Sequence, residues 1–264
     1  MGLRFCSFAS GSGGNSYMVK SDTTALLIDV GISGKKIFEG LAKTGLEPTD
    51  LDGILVTHEH SDHVKSLRVV TKKSQNASVY SNINTWQQIR ETVPEDRQIV
   101  FESGKTFVVG DIQVKSFATS HDAAEPVGFS FYHEGKQVSI VTDTGYISEE
   151  VFQEIKGADL LALEANHDVN ILQFCRYPYH IKRRILGDQG HLSNEAAGEC
   201  ICRLLRGEKK ARRILLSHLS RENNTPDMAK ITVTNILEDA GLYPLEGLSL
   251  SVLMRDQGSP LYMV

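Results

Sequence analysis

Apolar residues in this chain gather in short blocks more often than in long helical stripes. Segments such as "GILVT", "VSIVT" and "RILLS" are rich in branched aliphatics and end at small or polar residues, the signature of buried strands. The pattern predicts strands over residues 3–9, 16–20, 25–29 and 53–57, with a helix over 34–44. A second β-rich run covers 99–101, 106–109, 112–118, 128–133 and 138–142. Ser148 followed by Glu149 and Glu150 reads as a capped helix start with Gly157 near its end. A strand over 159–165, a helix opened by Ser193 and running to about 206, a strand over 213–217, a helix over 226–239 and a strand over 248–254 complete the order. Two β-rich halves, each with its own helices, predict an α/β protein of two sheets packed face to face with helices outside.

The turn "SGSGGNS" has the glycines of a phosphate loop but lacks the Lys-Ser/Thr ending and leads into a strand. It reads as a hairpin whose glycines permit close backbone approach to a substrate. At 264 residues, with 41% hydrophobic and 23% charged positions, the chain suits one globular domain over residues 1–264. No apolar run approaches the roughly 18 residues of a membrane span, and the N-terminus carries no signal-like pattern, so a cytoplasmic protein without membrane contact is expected. Cys6, Cys175, Cys200 and Cys202 form no C-x-x-C pair and read as reduced structural residues.

The net charge of −5 is unevenly spread, because the stretch from Arg176 to Arg213 carries an excess of six basic residues. It is either a set of solvated helix faces or a surface for a polyanion. Within it, "RYPYHIKRRIL" makes Lys182, Arg183 and Arg184 candidates for phosphate contacts. Tyr177 and Tyr179 would either stack on a terminal base or pack on the core.

The densest chemistry lies in "THEHSDH", residues 57–63. His58 and His60 are two apart in an extended segment and share one side, so they can clasp one ion, while Asp62 and His63 can serve a second. Further ligands should sit at strand ends, and His121, Asp143 and His218 fit that rule. Two divalent ions would lower the pKa of a shared water from ~15.7 toward about 7 and steady the oxygens of a phosphoryl or carbonyl group.

The pattern His58-x-His60-x-Asp62-His63 resembles the signature of the metallo-β-lactamase fold superfamily. The resemblance implies a four-layer αββα sandwich with a dinuclear site at one edge. One ion would take His58, His60 and His121, the other Asp62, His63 and His218, with Asp143 bridging and Asp29 of "LLIDVG" supporting the metal loop. Zinc and manganese both suit these ligands, and iron is possible. "FASGSGGNSYMV", "HEHSDH", "SHDAAEPVGF", "LEANHD", "GHLSN" and "LLSHLSRENN" together resemble the WalJ/YycJ/VicX-like exonuclease group over nearly the full length. That implies a phosphodiesterase acting on double-stranded DNA at 5′ ends, with a metal-bridging hydroxide as nucleophile.

"LEANHD" resembles a His-Glu-Ala-Thr segment of transfer-RNA-processing relatives at Glu164 and Ala165, but Leu163 stands where their histidine would be. Asp62, Glu164, His167 and His191 are therefore the catalytic candidates, with His167 or His191 as the proton donor. His133 and His180 have no supporting pattern. Two other classes stay open: a hydrolase of small (thio)esters, lactones or cyclic phosphodiesters, and a metal-stabilised binding module without turnover. The sequence leaves the oligomeric state undecided.

Overall fold

The computed structural model describes residues 2–207 and 210–264. Glu208 and Lys209, counted above in the basic stretch, lie outside the described residues. In chain order the elements are β1 (Arg4–Ala9), β2 (Ser16–Lys20), β3 (Ala25–Ile28), α1 (Gly34–Lys43), β4 (Gly53–Leu55), α2 (Ser61–Val64), α3 (Leu67–Lys73), β5 (Ser78–Ser81), α4 (Ile83–Ile89) and β6 (Gln98–Val100). There follow β7 (Thr106–Val109), β8 (Ile112–Ala118), β9 (Val127–His133), β10 (Lys136–Val141), α5 (Glu149–Ile155), β11 (Leu160–Glu164), α6 (Val169–Phe174) and α7 (Tyr179–Leu186). The chain ends with α8 (Asn194–Gly207), β12 (Arg212–Ser217), α9 (Pro226–Asp239), β13 (Leu248–Val252) and β14 (Tyr262–Met263).

Among the described residues the strands form two seven-stranded sheets, ordered β14-β1-β2-β3-β4-β5-β6 and β13-β12-β11-β10-β9-β8-β7. Side chains alternate across each sheet with the period of two that strands impose. Tyr17 and Val19 of β2 face the second sheet, packing with Leu26, Phe129, Phe131 and Ile140, while Met18 between them faces the helices. One outer layer seals Ile37, Leu41, Val70 and Trp86 against the first sheet. The other packs Ile201, Leu205, Val233 and Leu237 against the second sheet. The architecture is the expected αββα sandwich. No helix among the described residues is long and apolar enough to cross a membrane.

Each sheet mixes an antiparallel with a parallel half. β3 to β6 run parallel, as do β10 to β13, so the C-terminal ends of β3 and β4 meet those of β10, β11 and β12 at one edge. Loops at the carboxyl ends of parallel strands are where such sheets present functional side chains.

One expectation needs correction. Residues 98–100 pair with β5 in the first sheet, so the crossing to the second sheet falls after them and not before. The apolar pattern leaves out β5, β14, α2, α3, α4, α6 and α7. α7 buries no residue, so it carries none of the apolar stripe that would announce a helix.

The basic stretch does not form one surface. Arg212 opens β12 six residues before His218, placing the two about 20 Å apart along the strand. At that far end Lys210 pairs with Asp159 at 3.2 Å, Arg212 is buried and donates to Lys156 O, and Arg213 lies over the Tyr262 ring. Arg203 pairs with Glu149 on the helical side. Only the part around α7 adjoins the edge where the parallel strands end.

Candidate metal centre

Four non-glycine residues among those described have positive φ, and three stand just past strand ends at the shared edge: Asp29 (58°), Asp143 (57°) and His218 (55°). This backbone region costs an L-residue roughly 1–2 kcal/mol, so its use three times at one edge marks a site that the surrounding fold enforces. Each turn swings its side chain into the gap between the sheets.

His58, His60 and His121 bring donor atoms within 4.8 Å of one another, and so do Asp62, His63 and His218. His58, His63 and Asp143 make a third such group, and Asp143, Glu164, His191 and His218 a fourth. Asp143 lies between the first two: Oδ1 is 3.7 Å from His121 Nε2 and 3.5 Å from His218 Nε2, and Oδ2 is 3.2 Å from His63 Nε2. Asp62 Oδ2 is 3.5 Å from His63 Nε2 and 3.7 Å from His218 Nε2. His58 Nε2 and His60 Nδ1 approach to 3.1 Å.

The outward nitrogens of these rings are tied down. Asp29 Oδ2 is 2.8 Å from His63 Nδ1, and the carboxylate also accepts from the Thr57 amide and hydroxyl. Glu164 Oε1 is 2.8 Å from both His191 Nδ1 and His218 Nδ1, while Oε2 accepts from the Thr144 amide. His121 Nδ1 is 3.0 Å from the Gly190 carbonyl. Such ties fix the tautomer and aim Nε2 of His63, His121 and His218 inward, as metal-binding histidines require.

A cation fits this cluster. Asp143 Oδ2 and His218 Nε2 are both buried without a hydrogen-bond partner, an arrangement that is costly unless something charged satisfies them. Imidazole and carboxylate donors are those that zinc, manganese and iron accept.

The protein's own charges pull these groups apart. Burial would depress His218, but the Asp143, Asp62 and Glu164 carboxylates outweigh it and lift the imidazole to about 10. His63 is likewise raised against its burial, by Asp143 and Asp29. Asp62 and Asp143 are held well below the carboxylate range despite burial, by the neighbouring imidazoles. Burial, helped by His63, pushes His58 down, and burial also lowers His121.

The four catalytic candidates separate. The Asp62 side chain is one-quarter exposed and faces the donor cluster. Glu164 is fully buried and occupied by three hydrogen bonds, so it positions His191 and His218 and cannot touch a substrate. His167 is 1% exposed, neither ring nitrogen has a partner, and burial lowers it to about 4. His191 keeps 17% of its side chain exposed, with its ring 5.0 Å from that of His121 and 5.3 Å from that of His218. It alone of the two histidines is both aimed by a carboxylate and open to solvent. Of the phosphate-contact candidates, Arg184 Nε donates to Asp122, Lys182 Nζ donates to the Gln173 carbonyl, and the Arg183 guanidinium carbon lies 6.0 Å from the Tyr179 ring centre.

Several contributors were not singled out in the sequence. Asn15, in the glycine-rich turn, places Nδ2 3.1 Å from His63 Nε2, and its amide donates to Asp62 O. That turn packs against the metal loop; Gly31 beside it touches Asp62 so closely that a Cβ would lie 1.5 Å from the carbonyl oxygen. Glu59 stays out of the donor groups and accepts from the Ala124 amide, anchoring the loop that carries His121. Thr57 and Thr144 had no signal beyond lying next to a ligand.

Residues 24–219 match the beta-lactamase superfamily domain. Exodeoxyribonuclease YycJ of Bacillus anthracis is 43% identical over 91% of this chain and 91% of its own length. Exodeoxyribonuclease WalJ of Streptococcus pneumoniae is 42% identical over 92% of this chain and 91% of its own. Among solved structures, the metallo-beta-lactamase fold protein YhfI from Bacillus subtilis superposes with a TM-score of 0.73 at 16% identity, covering 98% of this chain and 99% of that one.

Proposed function

The chain belongs to the beta-lactamase superfamily, with YycJ and WalJ as relatives along nearly its whole length, and we propose that it is a two-metal phosphodiesterase that removes nucleotides from 5′ ends of double-stranded DNA. The observation that carries the metal chemistry is the set of overlapping donor groups around Asp143, in which two buried atoms, Asp143 Oδ2 and His218 Nε2, make no hydrogen bond. The DNA substrate is taken from the relatives named exodeoxyribonuclease.

In this reading His58, His60 and His121 would hold one ion and Asp62, His63 and His218 the second, with Asp143 within reach of both groups. Zinc or manganese suits the ligands, and iron would also bind. Bound there, two divalent ions supply a nucleophile from water at neutral pH and neutralise charge on the phosphoryl oxygens. Asp29 and Glu164 keep the imidazoles in the tautomer that points Nε2 inward. Asp62, beside its role as ligand, would orient the attacking water, since its carboxylate is one-quarter exposed at the cluster.

His191 is the group placed to protonate the leaving 3′ oxygen. Glu164 accepts its Nδ1 hydrogen and aims the ring, and in this role Nε2 passes its proton to the leaving oxygen as the P–O bond breaks. His167, sealed from solvent, supports this end of the site without contacting substrate. Lys182 and Arg183 lie on the face of α7 that would meet DNA phosphates, while Arg184 holds the loop of His121 through Asp122. The four cysteines are free, in keeping with a cytoplasmic setting.

The test is digestion of duplex DNA labelled at the 5′ end, with Mn²⁺ or Zn²⁺ and with Asp62→Ala alongside. Release of labelled mononucleotides by the wild type and not by the variant is expected. Two tightly bound ions with no cleavage of any DNA would move the substrate to a small phosphate or carboxylate ester.

A further inference from the structure

Phe174 is 87% exposed and Tyr179 76%, the two most exposed large apolar side chains among the described residues. They flank the short link between α6 and α7. α7 buries no residue, so core packing does not account for its presence. Tyr179, Lys182, Arg183 and Leu186 recur at the spacing that puts them on one face of that helix. Leu186 is 45% exposed, and the Arg183 guanidinium reaches over the Tyr179 ring. Lys182 Nζ donates to the carbonyl of Gln173, which brings the end of α6, and with it Phe174, beside this face.

The helix α7 stands beside the metal centre. Arg184 in α7 holds Asp122, whose Oδ1 is 3.4 Å from His121 Nε2. The Gly190 carbonyl takes the His121 Nδ1 hydrogen, and the His191 amide donates to Ile185 O. The loop after α7 is pressed onto the Asp143 turn, since a Cβ on Gly145 would lie 2.2 Å from the Asp188 carbonyl oxygen. α7 is thus anchored beside His121 and His191 through Arg184 and the loop that follows it, with Tyr179, Lys182, Arg183 and Leu186 on its solvent side.

We propose that Phe174 and Tyr179 form a stacking platform for an unpaired terminal base of DNA, with Lys182 and Arg183 on the adjoining phosphates. The proposal rests on the DNA reading above and names the residues that receive the strand end. Bare aromatics interleaved with cations suit a nucleic acid strand, because every base offers a π-face and every linkage a negative charge. Arg176 adds a further positive charge to the link. An anionic lipid surface would also meet an amphipathic helix, but eight residues wedged against a catalytic-type cluster favour a substrate over a bilayer.

The metal-loaded full chain carrying both Phe174→Ala and Tyr179→Ala is compared with wild type on duplex DNA with frayed 5′ ends and on bis(4-nitrophenyl) phosphate, which has no base to stack. The expected result is a KM for DNA raised about tenfold or more, the range set by base–aromatic stacking. Activity on bis(4-nitrophenyl) phosphate should stay within about twofold, and Phe174→Tyr with Tyr179→Phe should restore the DNA value. In an Asp62→Ala background, a 5′-terminal 2-aminopurine should be quenched on binding, and the two alanines should remove that quenching. Unchanged KM and quenching in an enzyme that digests DNA would overturn the platform, as would a parallel loss on both substrates. An unchanged KM with lost binding to phosphatidylglycerol vesicles would reassign the ridge to a membrane. Absence of DNA cleavage by wild type would instead remove the reading on which the platform rests.

Discussion

Asp29 and Glu164 stand at strand ends in different sheets, and each accepts hydrogen from an imidazole Nδ1, yet they serve different sets of rings. Asp29 holds His63 and spends its other bonds on Thr57, all within the metal loop of the first sheet. Glu164 holds His218 and His191 through one oxygen, so on the second sheet a single carboxylate orients both a metal-type ligand and a solvent-facing histidine. In the proposed mechanism the first brace secures metal binding, and the second couples metal binding to proton transfer.

The largest effect should come from removing what the two halves share. Asp143→Ala takes away the carboxylate that touches donors of both groups and should cut DNA hydrolysis by about a thousandfold or more, several kcal/mol of barrier. Residual activity near wild type would show that the halves work separately. Next, His191→Ala should lower kcat by roughly 10²–10⁴ while metal content stays unchanged, the loss typical of a general acid. If metal content falls with activity, His191 is a ligand and not a proton donor.

The braces themselves should differ in how they respond to added metal. Asp29→Asn and Glu164→Gln should each cost about 10–100-fold in metal affinity or activity. Excess metal should restore the first variant and leave the second impaired, since only Glu164 also aims His191. Equal rescue of both would erase the distinction between them.

The pH dependence of stability sharpens the same contrast. His218 is raised from 6.5 to about 10 in the folded protein, so in metal-stripped protein its contribution is full below about pH 6.5 and is lost as pH rises toward about 10. Metal binding needs that imidazole neutral, so metal uptake strengthens over the same interval. Thermal midpoints with and without chelator should therefore diverge as pH rises, and parallel curves would contradict the charge assignment. The smallest effect belongs to the ridge: each of Lys182→Ala and Arg183→Ala should flatten the salt dependence of DNA binding by about one unit of slope. An unchanged slope would remove both from the DNA contact.

The metal loop was legible because its ligands lie next to one another and strand geometry decides which side they face. The αββα layers followed from apolar blocks such as "VSIVT" and from the family resemblance. What stayed hidden was of two kinds. Asn15 and Thr57 act through contacts between distant parts of the chain, and polar residues in turns look alike until those contacts form. α7 has no buried face, so periodicity had nothing to report. The basic stretch left its two readings open for a related reason: Lys210, Arg212 and Arg213 belong to the same charged run as Lys182 but sit at the opposite end of β12 from His218. Glu164 was recognised by motif, but only its burial shows that it acts through His191 and His218.

The most direct test of the shared centre is elemental analysis of protein purified without added metal, read against exonuclease rate as ions are removed and returned. The account predicts two divalent ions per chain, with activity regained only as the second is restored. Full activity with one ion or none would contradict it.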